Sequence, residues 1–82
     1  MFYTNGDRYE GDWIKDKREG KGIYYYNDGD RYEGYWKNGK KEGKGIYYFK
    51  KGDKQIGDYF DDEPIGSHKL FFNNGDIENT NY

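Results

Sequence analysis

The sequence contains no cysteine, alanine or valine, and its large aliphatic side chains are six isoleucines, Leu70 and Met1. Without cysteine there are no disulfides and no thiolate metal centres. No stretch approaches the ~18 apolar residues that read as a membrane-spanning helix. No secretory apolar segment follows Met1, so the expected address is the cytoplasm. Hydrophobic residues make up only 32% and the mean hydropathy is -1.49, values that by themselves suit a disordered chain. The aromatic content points the other way. Eleven Tyr, five Phe and two Trp make 22% of the 82 residues, and rings bury large areas while keeping a polar handle. One domain is expected, with a core built from rings.

An internal repeat organises the chain. GDRYEGDW at Gly6–Trp13 returns as GDRYEGYW at Gly29–Trp36, and EGKGIYY at Glu19–Tyr25 returns at Glu42–Tyr48, both 23 residues on. The same step relates Gly34 to Gly57, Trp36 to Tyr59, Gly43 to Gly66 and Phe49 to Phe72. Three units result, at 7–29, 30–52 and 53–75, flanked by partial units at 1–6 and 76–82. The third is worn: Gln55 replaces Tyr32, His68 replaces Gly45, and Pro64 enters its turn. Arrays of fewer than about three intact repeats are marginal alone. The expectation is therefore one piece of an assembly, a dimer, or part of a longer array.

Each unit reads as a β-hairpin. Tyr9-Glu10-Gly11-Asp12-Trp13 alternates ring or glycine with charge at period two, as a half-buried strand does. Polar Ile14–Glu19 is read as the turn, Gly20–Tyr26 as the return strand, and Asn27-Asp28-Gly29 as a tight turn into the next unit. Nothing sustains a helical period. Tyr9, Gly11, Trp13, Gly20, Gly22 and Tyr24 should share one face, as should Tyr32, Gly34, Trp36, Gly43, Gly45 and Tyr47. The glycines there would leave room for neighbouring rings. These twelve are the expected structural core.

At these residues the chain resembles the MORN (membrane occupation and recognition nexus) repeat. YEGDWIKDKREGKGIYYYNDG at Tyr9–Gly29 has the family's Y-x-G-x-W start and G-x-G-x-Y-x-Y-x-D-G end. YEGYWKNGKKEGKGIYYFKKG at Tyr32–Gly52 follows it with Lys51 where the family favours Asp. The third unit keeps Gly57, Tyr59, Gly66, Phe72 and Asn74-Gly75. The resemblance implies an all-β fold: an elongated, solenoid-like single-layer antiparallel sheet of stacked hairpins. It also implies a scaffold role, since the family includes components of cilia, cytoskeletal structures and membrane junctions. The address would then be cytoskeletal, ciliary or peripheral to a membrane.

Catalytic arrangements are poorly supported. His68 is the single histidine, and Ser67 beside it would point to the opposite face of a strand, so the two cannot form a nucleophile–base pair. Gly34–Lys41 imitates a phosphate-binding loop but ends in Lys41 instead of Ser or Thr, and joins two strands where that motif needs a strand and a helix. Asp58, Asp61, Asp62 and Glu63 lack the alternating oxygen ligands of a calcium loop, and a solvated acidic turn explains them better. No cofactor, metal or catalytic residue is expected, and the chain is read as a non-enzyme.

Two features exceed that plain reading. Residues 1–51 hold 12 Lys/Arg against 9 Asp/Glu, whereas residues 52–82 hold 2 against 7. The bases crowd the first two turns, where Lys37, Lys40, Lys41 and Lys44 form a candidate contact with anionic lipid. Ordinary solubilising charge is the plainer account, and net negative charge argues against nucleic acid. The second feature is the other face of the return strands. Alternation turns Ile23, Tyr25, Ile46, Tyr48 and Phe71 away from the core, an apolar ladder read as an interface with a protein partner or a second copy. A wall-binding aromatic repeat is a third class, opposed by the period and the Y-x-G-x-W spacing.

Overall fold

The computed structural model describes all 82 residues as one seven-stranded antiparallel sheet whose strands pair in chain order. The strands are β1 (Arg8–Ile14), β2 (Lys17–Tyr25), β3 (Arg31–Lys37), β4 (Lys40–Tyr48), β5 (Lys54–Phe60), β6 (Glu63–Phe71) and β7 (Ile77–Asn81). The sheet is open and elongated, 40 × 25 × 16 Å, with no second layer. The expected all-β architecture of successive hairpins is the one the chain adopts.

The turns are tighter than expected. Strand structure runs through Ile14 and resumes at Lys17, so only Lys15-Asp16 turns the chain, not Ile14–Glu19. Lys15 and Asp16 have φ of 51° and 66°, Asn38 and Gly39 51° and 81°, Asp61 and Asp62 54° and 70°. Positive φ at both central residues defines the turn whose twist matches the flanking strands. Polarity marked solvent exposure in that segment, not the end of the strand.

The core lies on one face and is made of rings. Tyr9 and Tyr32 are fully buried, and Trp36 and Tyr59 nearly so, with Tyr3, Tyr24, Tyr26 and Tyr47 packed against them. Cross-strand register explains the grouping: Tyr9 and Tyr32 flank Tyr24, while Gly11 and Gly34 flank Gly22. A Cβ on Gly22 would enter the Tyr9 ring, and one on Gly45 the Tyr32 ring. These glycines make the slots expected of them. Gly20 and Gly43 do not, because no ring approaches them. Their φ of 72° and 80° requires glycine, and it falls where the register between hairpin strands shifts.

Trp13 also departs from expectation. It is 36% exposed. Trp36 is held between Tyr9 of the preceding hairpin and Tyr32 of its own, with ring centroids at 5.6 and 5.3 Å, whereas Trp13 meets only Tyr9 at 5.1 Å.

An aspartate latches each hairpin to the next. Asp7 Oδ2 accepts the Tyr24 hydroxyl at 2.7 Å and Oδ1 the Asn27 amide at 2.8 Å. Asp30 repeats this with the Tyr47 hydroxyl at 3.0 Å and the Lys50 amide at 2.8 Å. Asp53 keeps the amide contact, from Asn73 at 2.9 Å, but Leu70 stands at the tyrosine position and has no hydroxyl to give. The Tyr24 hydrogen bond is the main cause of an Asp7 carboxyl pKa below its usual value, and the same bond adds to the rise at Tyr24.

The worn third hairpin keeps the design by an exchange across the strands. His68, 1% exposed, lays its ring over Gly57 from the return strand, where Tyr9 and Tyr32 reach over Gly22 and Gly45 from the outgoing strand. Its Nε2 lies 2.8 Å from the Asp58 carbonyl, and the equivalent Asp12 carbonyl accepts the Tyr9 hydroxyl. A carbonyl only accepts, so Nε2 carries the proton and Nδ1 accepts from Gln55 Nε2 at 3.0 Å. His68 is a core residue.

Candidate interaction faces

A single-layer sheet presents two faces, and here they differ in kind. The ring face carries a continuous aromatic row: Tyr3–Tyr24, Tyr24–Tyr26, Tyr26–Tyr47 and Tyr47–Phe49 centroids are 5.6, 4.8, 5.6 and 4.9 Å apart. Two cations lie on it. The Arg18 guanidinium is 4.7 Å from the Trp36 centroid and 5.1 Å from that of Tyr24, and its Nη2 donates to the Gly39 carbonyl at 2.6 Å. Lys41 Nζ stands 5.3 Å over Tyr32, 5.7 Å over Tyr26 and 5.9 Å over Tyr59. Burial there pushes the lysine pKa down. Desolvation raises the ring hydroxyls: Tyr24, Tyr26 and Tyr59 reach about 12, and Tyr32 and Tyr47 rise as well.

The four candidate lipid-contact lysines therefore do not form one surface. Lys41 belongs to the ring face. Lys40 Nζ is tied to Asp61 Oδ1 at 2.7 Å, an ion pair that raises the lysine pKa. Lys37 and Lys44 are exposed, with Lys37 within 4.0 Å of Glu42. Alternation along β4 puts Lys40 and Lys44 on the side opposite Lys41. Reading these bases as part of a polar turn hides the split, because alternation between faces applies only once β4 is seen to begin at Lys40.

The outward face holds the predicted ladder, but its members are half-covered. Tyr25 lies between Arg8 and Arg31 in register, Tyr48 between Arg31 and Lys54, and Phe71 between Lys54 and Ile77. The cations cap the rings: Arg8 is 4.2 Å from the Tyr25 centroid, Arg31 3.9 Å from Tyr48 and Lys54 5.5 Å from Phe71. Ile23 lies between Glu10 and Glu33, and Ile46 between Glu33 and Ile56. Other apolar side chains on this face are strongly exposed: Tyr35 at 50%, Phe60 at 59%, Ile65 at 44% and Ile56 at 36%, with Ile14 at 58% and Ile77 at 59% on the two end strands. Ile56, Phe60 and Ile65 belong to the third hairpin, beside its acidic turn, and Tyr35 to β3. Beside them is an open depression of about 360 Å³ whose lining includes Lys44, Ile56, Asp58, Lys69 and Phe71. Their signal was legible: Ile56 and Ile65 break the charge that units 1 and 2 carry at the same positions, Glu33 and Glu42.

An open, ring-cored sheet of 23-residue hairpins with exposed side chains on both faces defines an extended repeat scaffold. Compared with known families, the chain matches the MORN repeat at residues 9–31 and again at 32–54, together more than half its length. This protein belongs to the MORN repeat family. The matched spans start two residues after the units counted from Asp7, and β5–β6 continue the hairpin pattern beyond them. Comparison with curated proteins gives no match. MORN repeats are generally interaction modules for proteins or membranes and are generally non-catalytic.

Proposed function

We propose that the chain is a non-catalytic scaffold module that binds a protein partner through its outward face, within a cytoskeletal, ciliary or membrane-associated assembly. The observation that carries this reading is the gathering of Tyr35, Ile56, Phe60 and Ile65 on that one face, each at least 36% exposed. Apolar side chains grouped on a rigid sheet are disfavoured by water and gain by being covered. The ring face is less suited, because its largest rings already pack on each other and under Arg18 and Lys41. The alternative reading, contact with anionic lipid through the basic turns, draws on Lys37, Lys40 and Lys44, with Lys41 withdrawn to the ring face.

Photocrosslinking in the source cell tests the proposal. A photoreactive phenylalanine analogue at Tyr35 should give discrete adducts that disappear with Ile56→Asp and Ile65→Asp. The same analogue at Phe49, on the ring face, should give none of them. Absence of adducts from Tyr35 overturns the assignment. Adducts to lipid alone would favour the membrane reading.

A further inference from the structure

The outward face is complementary to itself. Its central row, from β1 to β7, is Glu10, Ile23, Glu33, Ile46, Ile56, Lys69 and Asn79. A two-fold axis parallel to the strands and running between β4 and β5 would lay the face of one copy on that of another in reversed strand order. In that row Ile46 then meets Ile56 and Glu33 meets Lys69. In the row nearer the hairpin tips, Lys44 and Asp58 are in-register neighbours on β4 and β5, and Asp58 pairs with Ile65 on β6. The same axis sets Lys44 against Asp58 and Tyr35 against Ile65. The opposite row is Arg8, Tyr25, Arg31, Tyr48, Lys54, Phe71 and Ile77. There the axis places Arg31 over Phe71 and Lys54 over Tyr48, so these two cations, each capping a ring in its own sheet, meet a second ring in the other, while Arg8 on β1 lies beyond the overlap.

We infer that the partner of this face is a second copy of the chain, packed face to face in reversed strand order. The inference rests on the outward face being the interaction surface and names its occupant. An isologous contact requires a surface that complements itself under one two-fold operation. Of the axes parallel to the strands, one through β4 would set Lys44 against Lys44 and Glu33 against Ile56, whereas the axis between β4 and β5 sets no like charges together in these rows. A face of 40 × 25 Å, overlapped over most of its extent, buries on the order of 800 Å² per copy, the size of a standard stable interface.

Sedimentation equilibrium on the full chain reads the outcome, with charge exchange as the test of geometry. Glu33→Lys with Asp58→Lys makes one variant, and Lys44→Glu with Lys69→Glu the other. Each alone sets like charges against like and should dimerise at least about tenfold more weakly than the parent. Mixed, all four contacts become attractive, and a heterodimer should form that weakens with salt. A second measurement leaves most of the charge pattern intact. Glu33→Cys and Lys69→Cys chains, whose own symmetry mates lie about three strand spacings to the side, should be joined by a short bismaleimide only when mixed, not each to itself. A parent chain that stays monomeric at millimolar concentration, mixed variants no tighter than separate ones, or self-crosslinking of either cysteine variant would overturn the second copy as partner. If adducts to another protein still formed from Tyr35, the interaction surface would stand with a different occupant. If those adducts were absent as well, both readings would fall.

Discussion

Tyr32 shows what one side chain does in this fold. Its ring is fully buried over Gly45, it meets Trp36 and Tyr59 edge-on at 5.3 and 5.0 Å, and Lys41 caps it. The facing glycine is therefore a packing requirement. A Cβ at Gly34 would stand 2.7 Å from the Gly45 Cα, the Lys44 carbonyl and the Tyr32 hydroxyl, so backbone as well as ring would have to move. Gly34→Val should cost about 1–3 kcal/mol by overpacking, read as a lower thermal midpoint. An unchanged melt would contradict the ring-in-slot core. The aspartate latch is a second residue-scale device. Tyr47→Phe keeps the ring and removes the hydroxyl that Asp30 accepts at 3.0 Å, so denaturant melts should show a loss of about 1 kcal/mol. Leu70→Tyr tests the converse, since Asp53 already holds the Asn73 amide at 2.9 Å. A new hydroxyl there should raise the denaturation midpoint.

At the scale of the hairpin, the third unit shows how the repeat survives the loss of its own signature. Gln55 and His68 occupy the positions of Tyr32 and Gly45, and the two changes compensate. The ring comes from the opposite strand and reaches the Asp58 carbonyl at 2.8 Å, as the Tyr9 hydroxyl of the first hairpin reaches that of Asp12. Either reversal alone should destabilise: Gln55→Tyr brings a second ring against His68, and His68→Gly empties the slot. Together they restore the pattern of the second hairpin. A double-mutant cycle by chemical denaturation should give a coupling of about 1–3 kcal/mol. Additive single effects would mean that the two positions do not share one slot. Sequence reading placed His68 at a glycine position and could not see the exchange, because it depends on which residues face each other across β5 and β6.

The tyrosines couple these elements into one response of the whole molecule. Tyr24, Tyr26 and Tyr59 are raised by burial to about 12 from the ordinary 10.0, and Tyr32 and Tyr47 are raised too. For a group whose pKa is higher folded than unfolded, the folded state holds the proton longer. Stability is full below about pH 10 and falls as pH rises toward 12. Several such groups in one ring stack should give cooperative alkaline unfolding within that window, with tyrosinate absorbance at 295 nm rising as the sheet signal is lost. Gradual tyrosine titration with the sheet intact beyond pH 12 would contradict a buried ring core. A chain so poor in aliphatics leaves no other core to hold the sheet once its rings ionise.

The 23-residue period, the strand alternation and the glycine–ring pairs were determined by the sequence alone, because a hairpin unit packs chiefly on its sequence neighbours and the repeat prints local structure directly. The ring core and the outward side of the return strands were legible for the same reason. Which outward side chains stay bare was decided only in the folded sheet. Arg8, Arg31 and Lys54 come from strands other than those of the rings they cover, so cross-strand register, not order along the chain, turned the predicted ladder of Ile23, Tyr25, Ile46, Tyr48 and Phe71 into a capped one. Lys41 left the basic patch for the same physical reason. Desolvation of a cation over three rings is tolerated only where the sheet has already assembled those rings from β3, β5 and the residue that follows β2.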